Sequence, residues 1–228
     1  MTRKQALAFI TGMKTKAMNT PVRNSGSPRE RILVRAIALF ADHGFDAMTM
    51  RMLGDAVGLD NSSLYRHFAS KAQLADAVLD KVAGDFLEAM VPHLERPATL
   101  DALEAMAGAA GGYFFERRAA ARVMMHWIMS LGADGPGFGI SVPATDTSRP
   151  GGELLGRLQA WLAAGVRRKE LRAQAMPDGI VILLGAILLR PATYGYLLAS
   201  MEPKRSLDAA GRAWEAELRA AMRGAFAP

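Results

Sequence analysis

Seven consecutive residues, Asn61-Ser62-Ser63-Leu64-Tyr65-Arg66-His67, gather short amide and hydroxyl groups, a phenol, a guanidinium and an imidazole. Groups of this kind form hydrogen bonds with base edges in a major groove and with phosphate oxygens. Thr49 and Arg51 before them and Lys71 after them add further donors. Thr49 and Lys71 also stand at predicted helix starts, where the peptide dipole favours an anion. Recognition is the chemistry such residues can do.

Turnover lacks comparable support. The four histidines (His43, His67, His93, His126) show no paired metal-ligand spacing, and the chain has no cysteine. Disulfides, thiolate zinc sites and a cysteine nucleophile are thereby excluded. There is no G-x-S-x-G elbow, and Gly108–Gly112 lies in a helical context without the strand that a phosphate-binding loop follows. The expectation is a non-enzyme with no catalytic residue, no metal and no resident cofactor. Freedom from cysteine also fits a reducing cytoplasm, the expected location.

The elements that must position Asn61–His67 are legible. Ser27-Pro28-Arg29-Glu30 has the pattern of a capping box with proline at the first helical position. Ile32, Leu33, Ala36, Ile37 and Phe40 follow at helical spacing, Gly44 supplies a left-handed stop, and Phe45 can fold back. Thr49 opens a short helix through Ala56. Val57-Gly58-Leu59 makes a tight turn, and Asp60 caps a third helix over Asn61–Phe68. Ser70-Lys71-Ala72-Gln73 opens a longer helix, with Leu74, Val78, Val82 and Phe86 on one face and Pro92 ending it. Two short helices joined by a glycine-containing turn form a DNA-reading unit. Leu53 and Val57 must then pack on Leu64, Gly54 must be small where the backbones approach, and Leu59 must plug the turn. A plain helical hairpin with a polar surface satisfies the same spacing.

Charge is unevenly placed. Residues 1–71 hold eleven Lys and Arg against five acids, an excess of six that equals the net charge of +6 for the whole chain. The remainder balances, with 17 of each sign. A segregated basic region suits a polyanion, and it also suits a solubilising tail. Residues 1–26 read as a flexible basic arm, with Met13 and Met18 as alternative starts. No signal peptide is expected in them, because Ala6–Ile10 is too short an apolar run.

The stretch Thr49 to Leu74, with its Leu64-Tyr65-x-His67-Phe68 block followed by Ser70-Lys71, closely resembles the signature of TetR-family (TetR/AcrR-type) transcriptional regulators. The resemblance covers about residues 27–87. It implies that Thr49, Tyr65 and Lys71 touch phosphates and that Asn61, Ser62 and Ser63 read bases, with Arg51, Arg66 and His67 beside them. Asp60 and Gly54 depart from the usual Ser or Thr and Ala, and Ser62-Ser63 from the usual small residue plus Thr. Asp60 brings a carboxylate near DNA.

Beyond residue 88 the chain reads as helices throughout: Thr99–Glu116, Arg117–Leu131, Glu153–Lys169, Asp178–Met201 (kinked at Pro191) and Ser206–Phe226. Gly132–Gly152, with six glycines and three prolines, reads as a long loop. The expected fold is therefore all-α: a three-helix helix-turn-helix domain over 27–87 (the motif at about 49–68) and a helical ligand-binding and dimerisation domain over 88–228. Gly179–Leu189 is unbroken apolar sequence, but Arg190 and Pro191 argue against a membrane span. The family's fold implies a homodimer through Asp178–Met201 and Ser206–Phe226. Trp214, Leu218, Met222 and Phe226 give the last helix an apolar stripe for it, or for packing within one chain. Tyr113, Phe114, Met124, Met125, Trp127, Met129 and Trp161 make a centre rich in aromatics and methionine. It is suited to a small-molecule effector or to an ordinary core, with Arg122 and His126 as polar anchors.

The function expected is a ligand-responsive regulator of transcription. It would bind double-stranded DNA as a dimer and most readily repress from a near-palindromic operator. Activation, ligand-independent regulation and a helical protein-interaction module stand as alternatives.

Overall fold

The computed structural model describes residues 27–130, 147–173, 185, 187 and 207–228, with side chains omitted over 127–130 and 207–214. Eight helices are described: α1 (Pro28–Ala47), α2 (Met50–Val57), α3 (Asn61–His67), α4 (Lys71–Leu94), α5 (Leu100–Glu116), α6 (Arg118–Ser130), α7 (Pro150–Arg167) and α8 (Leu207–Phe226). No strand occurs among the described residues. Predicted helix 178–201 and most of loop 132–152 lie outside them.

Local sequence accounts for most of the boundaries. Ser27, Thr49, Asp60, Ser70 and Thr99 each accept a backbone N–H three residues on, satisfying a donor that the first turn leaves open. The two predicted capping boxes are incomplete. Glu30 reaches toward Lys81 (3.8 Å) in place of the Ser27 amide, and Gln73 accepts from Ala69 N–H (2.6 Å) in place of Ser70. Gly44 breaks α1 with φ 75° and ψ 171°, a positive-φ kink that suits glycine but is not the expected left-handed helical cap. The chain resumes helical geometry at once, which stacks Phe45 on Phe40 at 5.8 Å. Gly58 does adopt the left-handed conformation, φ 70° and ψ 32°.

Pro92 does not end α4, contrary to expectation. Its ring removes one hydrogen bond from the last turn, but only two residues follow it, and Glu95 N–H closes on the Val91 carbonyl at 3.1 Å. The start of α7 is also earlier than predicted. Pro150 takes the first helical position, and Gly151 and Gly152 are buried helix residues, not loop. They lie where α7 packs along α4, with Pro150 against Gly84.

Two apolar cores divide along α4. Ile32, Leu33, Ala36, Phe40, Met48, Met50, Leu53, Leu64, Phe68, Leu74, Ala75 and Val78 form the N-terminal core. From Leu79 onward α4 belongs to the second, with α5, α6, α7 and α8. The α4 helix is therefore shared physically by both units. Arg122 of α6 adds a second tie, 3.4 Å from both the Ala41 carbonyl and Asp42 of α1. Arg149 adds a third: it holds Asp80 of α4 at 2.9 Å and also donates to the Asp76 carbonyl at 3.3 Å, on the stretch of α4 that belongs to the N-terminal core.

The expected dimer stripe on the last helix is corrected. Leu218, Met222 and Phe226 are 1%, 1% and 2% exposed within a single chain, packed against α5. The cause lies in α5: its small residues Ala107, Gly108 and Gly111 are buried and let α8 approach closely. A Cβ at Gly108 would stand 2.9 Å from Arg219 Nη2. The side chain of Trp214 is outside the described residues.

Candidate nucleic-acid interface

The helix α3 is mounted from behind. Leu53, Leu64 and Phe68 are fully buried, Val57 and Leu59 pack partly against the same core, and the Gly58 turn sets the crossing of α2 and α3. Leu59 is half-buried, so it covers the turn and does not plug it fully. Gly54 is required on distance: a Cβ there would meet the Leu59 carbonyl oxygen at 2.7 Å.

This mounting turns the remaining side chains outward. Asn61, Ser62, Tyr65, Arg66 and His67 are exposed, Tyr65 at 48%, and Ser63 is half-buried. The burial of Leu64 alone in the helix follows from one buried turn against the α2 core. Thr49 and Arg51 are exposed at the start of α2. Lys71 is placed differently from a free surface cation. Its ammonium donates to the Asp46 carbonyl at 3.0 Å and lies 4.5 Å from the Phe45 ring centroid. It buttresses the α1–α2 connection and keeps its remaining N–H groups near the start of α4.

Asp60 organises the surface beyond capping. One carboxylate oxygen accepts Ser63 N–H and Ser62 Oγ, both at 2.7 Å; the other accepts Ser63 Oγ at 3.2 Å. Arg66 in turn donates to Ser63 Oγ at 2.7 Å. The backbone bond from Ser63, then the serine hydroxyls and Arg66, hold the Asp60 carboxyl below its ordinary value of 3.8. Sequence reading gave Asp60 only the cap, because the side-chain rotamers that close this network carry no sequence signal. It also passed over Arg29, whose guanidinium lies 4.8 Å from the Phe68 ring centroid at the end of α3. Nothing in the sequence links positions 39 apart in this way.

The residues proposed for a ligand space divide. Phe114 (0% exposed), Met124 (2%) and Trp161 (7%) are core residues, while Tyr113 and Met125 are half-buried against them. Phe114 stands 4.5 Å from Phe86 and 5.2 Å from Tyr113, ring centre to ring centre. Burial, then the nearby Asp85, raises the Tyr113 hydroxyl above its ordinary value. Trp161 spends its indole N–H on the Arg96 carbonyl at 2.8 Å, at the far end of the bundle. Arg122 is engaged with α1, and His126 is exposed. The side chains of Trp127 and Met129 lie outside the described residues. Among the described residues no three His, Asp or Glu side chains are grouped to hold a metal. No described helix is long and apolar enough to cross a membrane.

Residues 32–78 match the family model for bacterial regulatory proteins of the tetR family. Over 79 residues the chain is 39% identical to the HTH-type transcriptional repressor KstR2 of Rhodococcus jostii, a match spanning 33% of this chain and 39% of that repressor. The fold as a whole resembles a transcriptional regulator from Streptomyces coelicolor, with TM-score 0.64 at 19% identity over 88% of this chain and 98% of that one. It also resembles AibR, solved in complex with isovaleryl coenzyme A and operator DNA, with TM-score 0.59 at 15% identity over 88% and 98%.

Proposed function

Because this chain belongs to the TetR family of bacterial regulatory proteins through its N-terminal domain, we propose that it is a ligand-responsive transcriptional repressor, not an enzyme, that occupies a near-palindromic operator as a homodimer. The observation that carries the reading is α3 itself. Its one apolar residue is buried, and its amide, hydroxyl, phenol, guanidinium and imidazole groups face solvent on a rigid mount. Thr49, Arg51 and Lys71 flank it and Tyr65 stands on it as phosphate partners, and Arg29 joins them. Two such helices in a dimer read successive major grooves about 34–36 Å apart. The protein then works in the cytoplasm, where its operator is.

The dimer reading rests on the family's assembly and on the apolar run 179–189, since the predicted stripe on α8 is internal. The effector reading rests on the Phe86–Tyr113–Phe114 cluster and the methionines beside it. AibR, of the same fold, was solved with an acyl thioester and DNA, so acyl-coenzyme A thioesters are the first effector class to try. An effector changes operator occupancy only through its preference for one conformer. Contacts that couple the units, through which such a preference would travel, include the shared helix α4, the Arg122–Asp42 pair, the Glu30–Lys81 pair and the Arg149 clamp.

A gel-shift and footprint series on DNA flanking the gene, at two salt concentrations, tests the proposal. Expected are a two-fold footprint and an affinity that falls steeply with salt, with sedimentation showing a dimer. Salt-insensitive binding without a footprint would count decisively against it.

A further inference from the structure

The hydrogen-bond network around Asp60 fixes more than the start of α3. An ionised carboxylate can only accept, so every bond it makes orients its partner's proton toward it. Ser62 Oγ lies 2.7 Å from one Asp60 oxygen and Ser63 Oγ 3.2 Å from the other. Both hydroxyl protons therefore point back to Asp60. Ser63 Oγ additionally receives an Arg66 N–H at 2.7 Å, which an oxygen already donating its proton accepts through a lone pair. The two hydroxyls are left with lone pairs alone for any outside partner. An unrestrained serine hydroxyl rotates to donate or accept as required, and so distinguishes bases poorly. These two have lost that choice. With its pKa lowered, the Asp60 carboxyl stays ionised across the neutral range.

In the major groove, adenine N6 and cytosine N4 present N–H donors, while guanine N7 and O6 and thymine O4 present only acceptors. We infer that Asp60 is a specificity-determining residue, which by holding Ser62 and Ser63 as obligate acceptors makes α3 select adenine or cytosine over guanine or thymine on the strand it faces. The inference rests on the proposed reading of α3 as the base-contacting helix and adds the polarity of that contact. It gives the carboxylate, an unexpected group beside a polyanion, a positioning role: its charge is spent on two serines and a backbone amide, with Arg66 bonded to Ser63 on the outer side.

The test is binding-site selection from a randomised duplex library with the full-length protein, followed by sequencing, for wild type, Asp60→Asn and Ser62→Ala. Asparagine still caps α3 through its amide oxygen, but its NH2 group can donate to a serine and release that hydroxyl proton outward. Wild type is expected to favour adenine or cytosine about two- to tenfold at a base step in each half-site, the worth of one hydrogen bond. In Asp60→Asn that preference should vanish or turn toward guanine or thymine with the rest of the motif retained, and in Ser62→Ala it should weaken at one step. Folding of each variant is checked by circular dichroism. Identical motifs for all three proteins would overturn the inference while leaving DNA reading by α3 intact. Should Asp60→Asn not fold, an unchanged motif in Ser62→Ala overturns it alone. Enrichment of no motif by wild type would overturn the reading of α3 itself.

Discussion

Gly54 and Leu59 touch through the backbone: the Leu59 N–H donates to the Gly54 carbonyl at 2.9 Å, and a Cβ on Gly54 would stand 2.7 Å from the Leu59 carbonyl oxygen. Alanine at 54 would gain about 1 kcal/mol of helix propensity. It would also force apart the two segments whose closeness sets the angle of α2 to α3, and overpacking of this kind costs about 1–3 kcal/mol. The obstacle is a backbone oxygen, which cannot swing aside as a side chain can. Gly54→Ala is therefore expected to lower the unfolding midpoint and to weaken operator binding more than stability alone explains. A variant as stable as wild type with unchanged affinity would show that the turn yields at no cost.

The Asp60 carboxyl should titrate below the ordinary 3.8, chiefly because Ser63 N–H binds its charged form. A depressed folded-state value means that its contribution to stability is complete at higher pH and is lost as the pH falls through that value. Carbon-detected NMR titration of the Asp60 carboxyl gives the check, with a midpoint under 3.8 expected. The stability gap between wild type and Asp60→Asn should stay flat across the neutral range and narrow only below about pH 4. A gap that closed near neutrality would contradict this.

Legibility followed the range of the forces involved. The helix starts at Thr49, Asp60, Ser70 and Thr99 could be read because a cap is a contact three residues away. The outward face of α3 could be read because Leu53, Leu64 and Phe68 are apolar at helical spacing. Pro92 and Pro150 misled for one reason: proline's effect depends on whether it falls in the last turn, the first turn or the middle. The α8 stripe was read correctly as apolar, with a partner chain and packing within one chain both open as its neighbour; α5 covers it. Periodicity says that a face is buried, but not whether α5 or a second chain buries it. The double service of Lys71 to Asp46 and Phe45, and the closure of Asp60 on two serines, depend on rotamers that no spacing rule encodes.

Phe114 separates a core from a ligand space. It is fully buried between Phe86 and Tyr113, so Phe114→Ala should cost about 3–5 kcal/mol in urea unfolding. Phe114→Leu keeps the site apolar and should fold. If the cluster also borders an effector, this milder variant will shift the concentration of a short-, medium- or long-chain acyl-coenzyme A that releases DNA, with DNA affinity itself unchanged. A loss of stability in both variants with an identical release curve would make Phe114 a core residue only.

Arg149, at the residue before α7, reaches across to α4 and faces two carboxylates. Its guanidinium lies 2.9 Å from Asp80 Oδ1 and 3.8 Å from Asp76 Oδ1, the latter too long for a hydrogen bond and leaving that oxygen buried without one. Burial raises the Asp76 carboxyl above its ordinary 3.8; Arg149 opposes the rise and Asp80 adds to it. A raised folded-state value means that stability is fullest below the ordinary value and declines as the pH climbs through the folded one. Arg149→Ala removes the opposing charge, so Asp76 should rise further and both acids will repel when ionised. The partners are 20%, 39% and 41% exposed, between a solvated pair and a buried one, which puts the loss at about 1–2 kcal/mol near neutrality. Urea unfolding should show this gap shrinking toward about pH 4, as Asp76 takes up its proton. A gap of constant size across that range would mean that Arg149 holds α7 to α4 through its bond to the Asp76 carbonyl and its packing, with the charge on Asp76 playing no part.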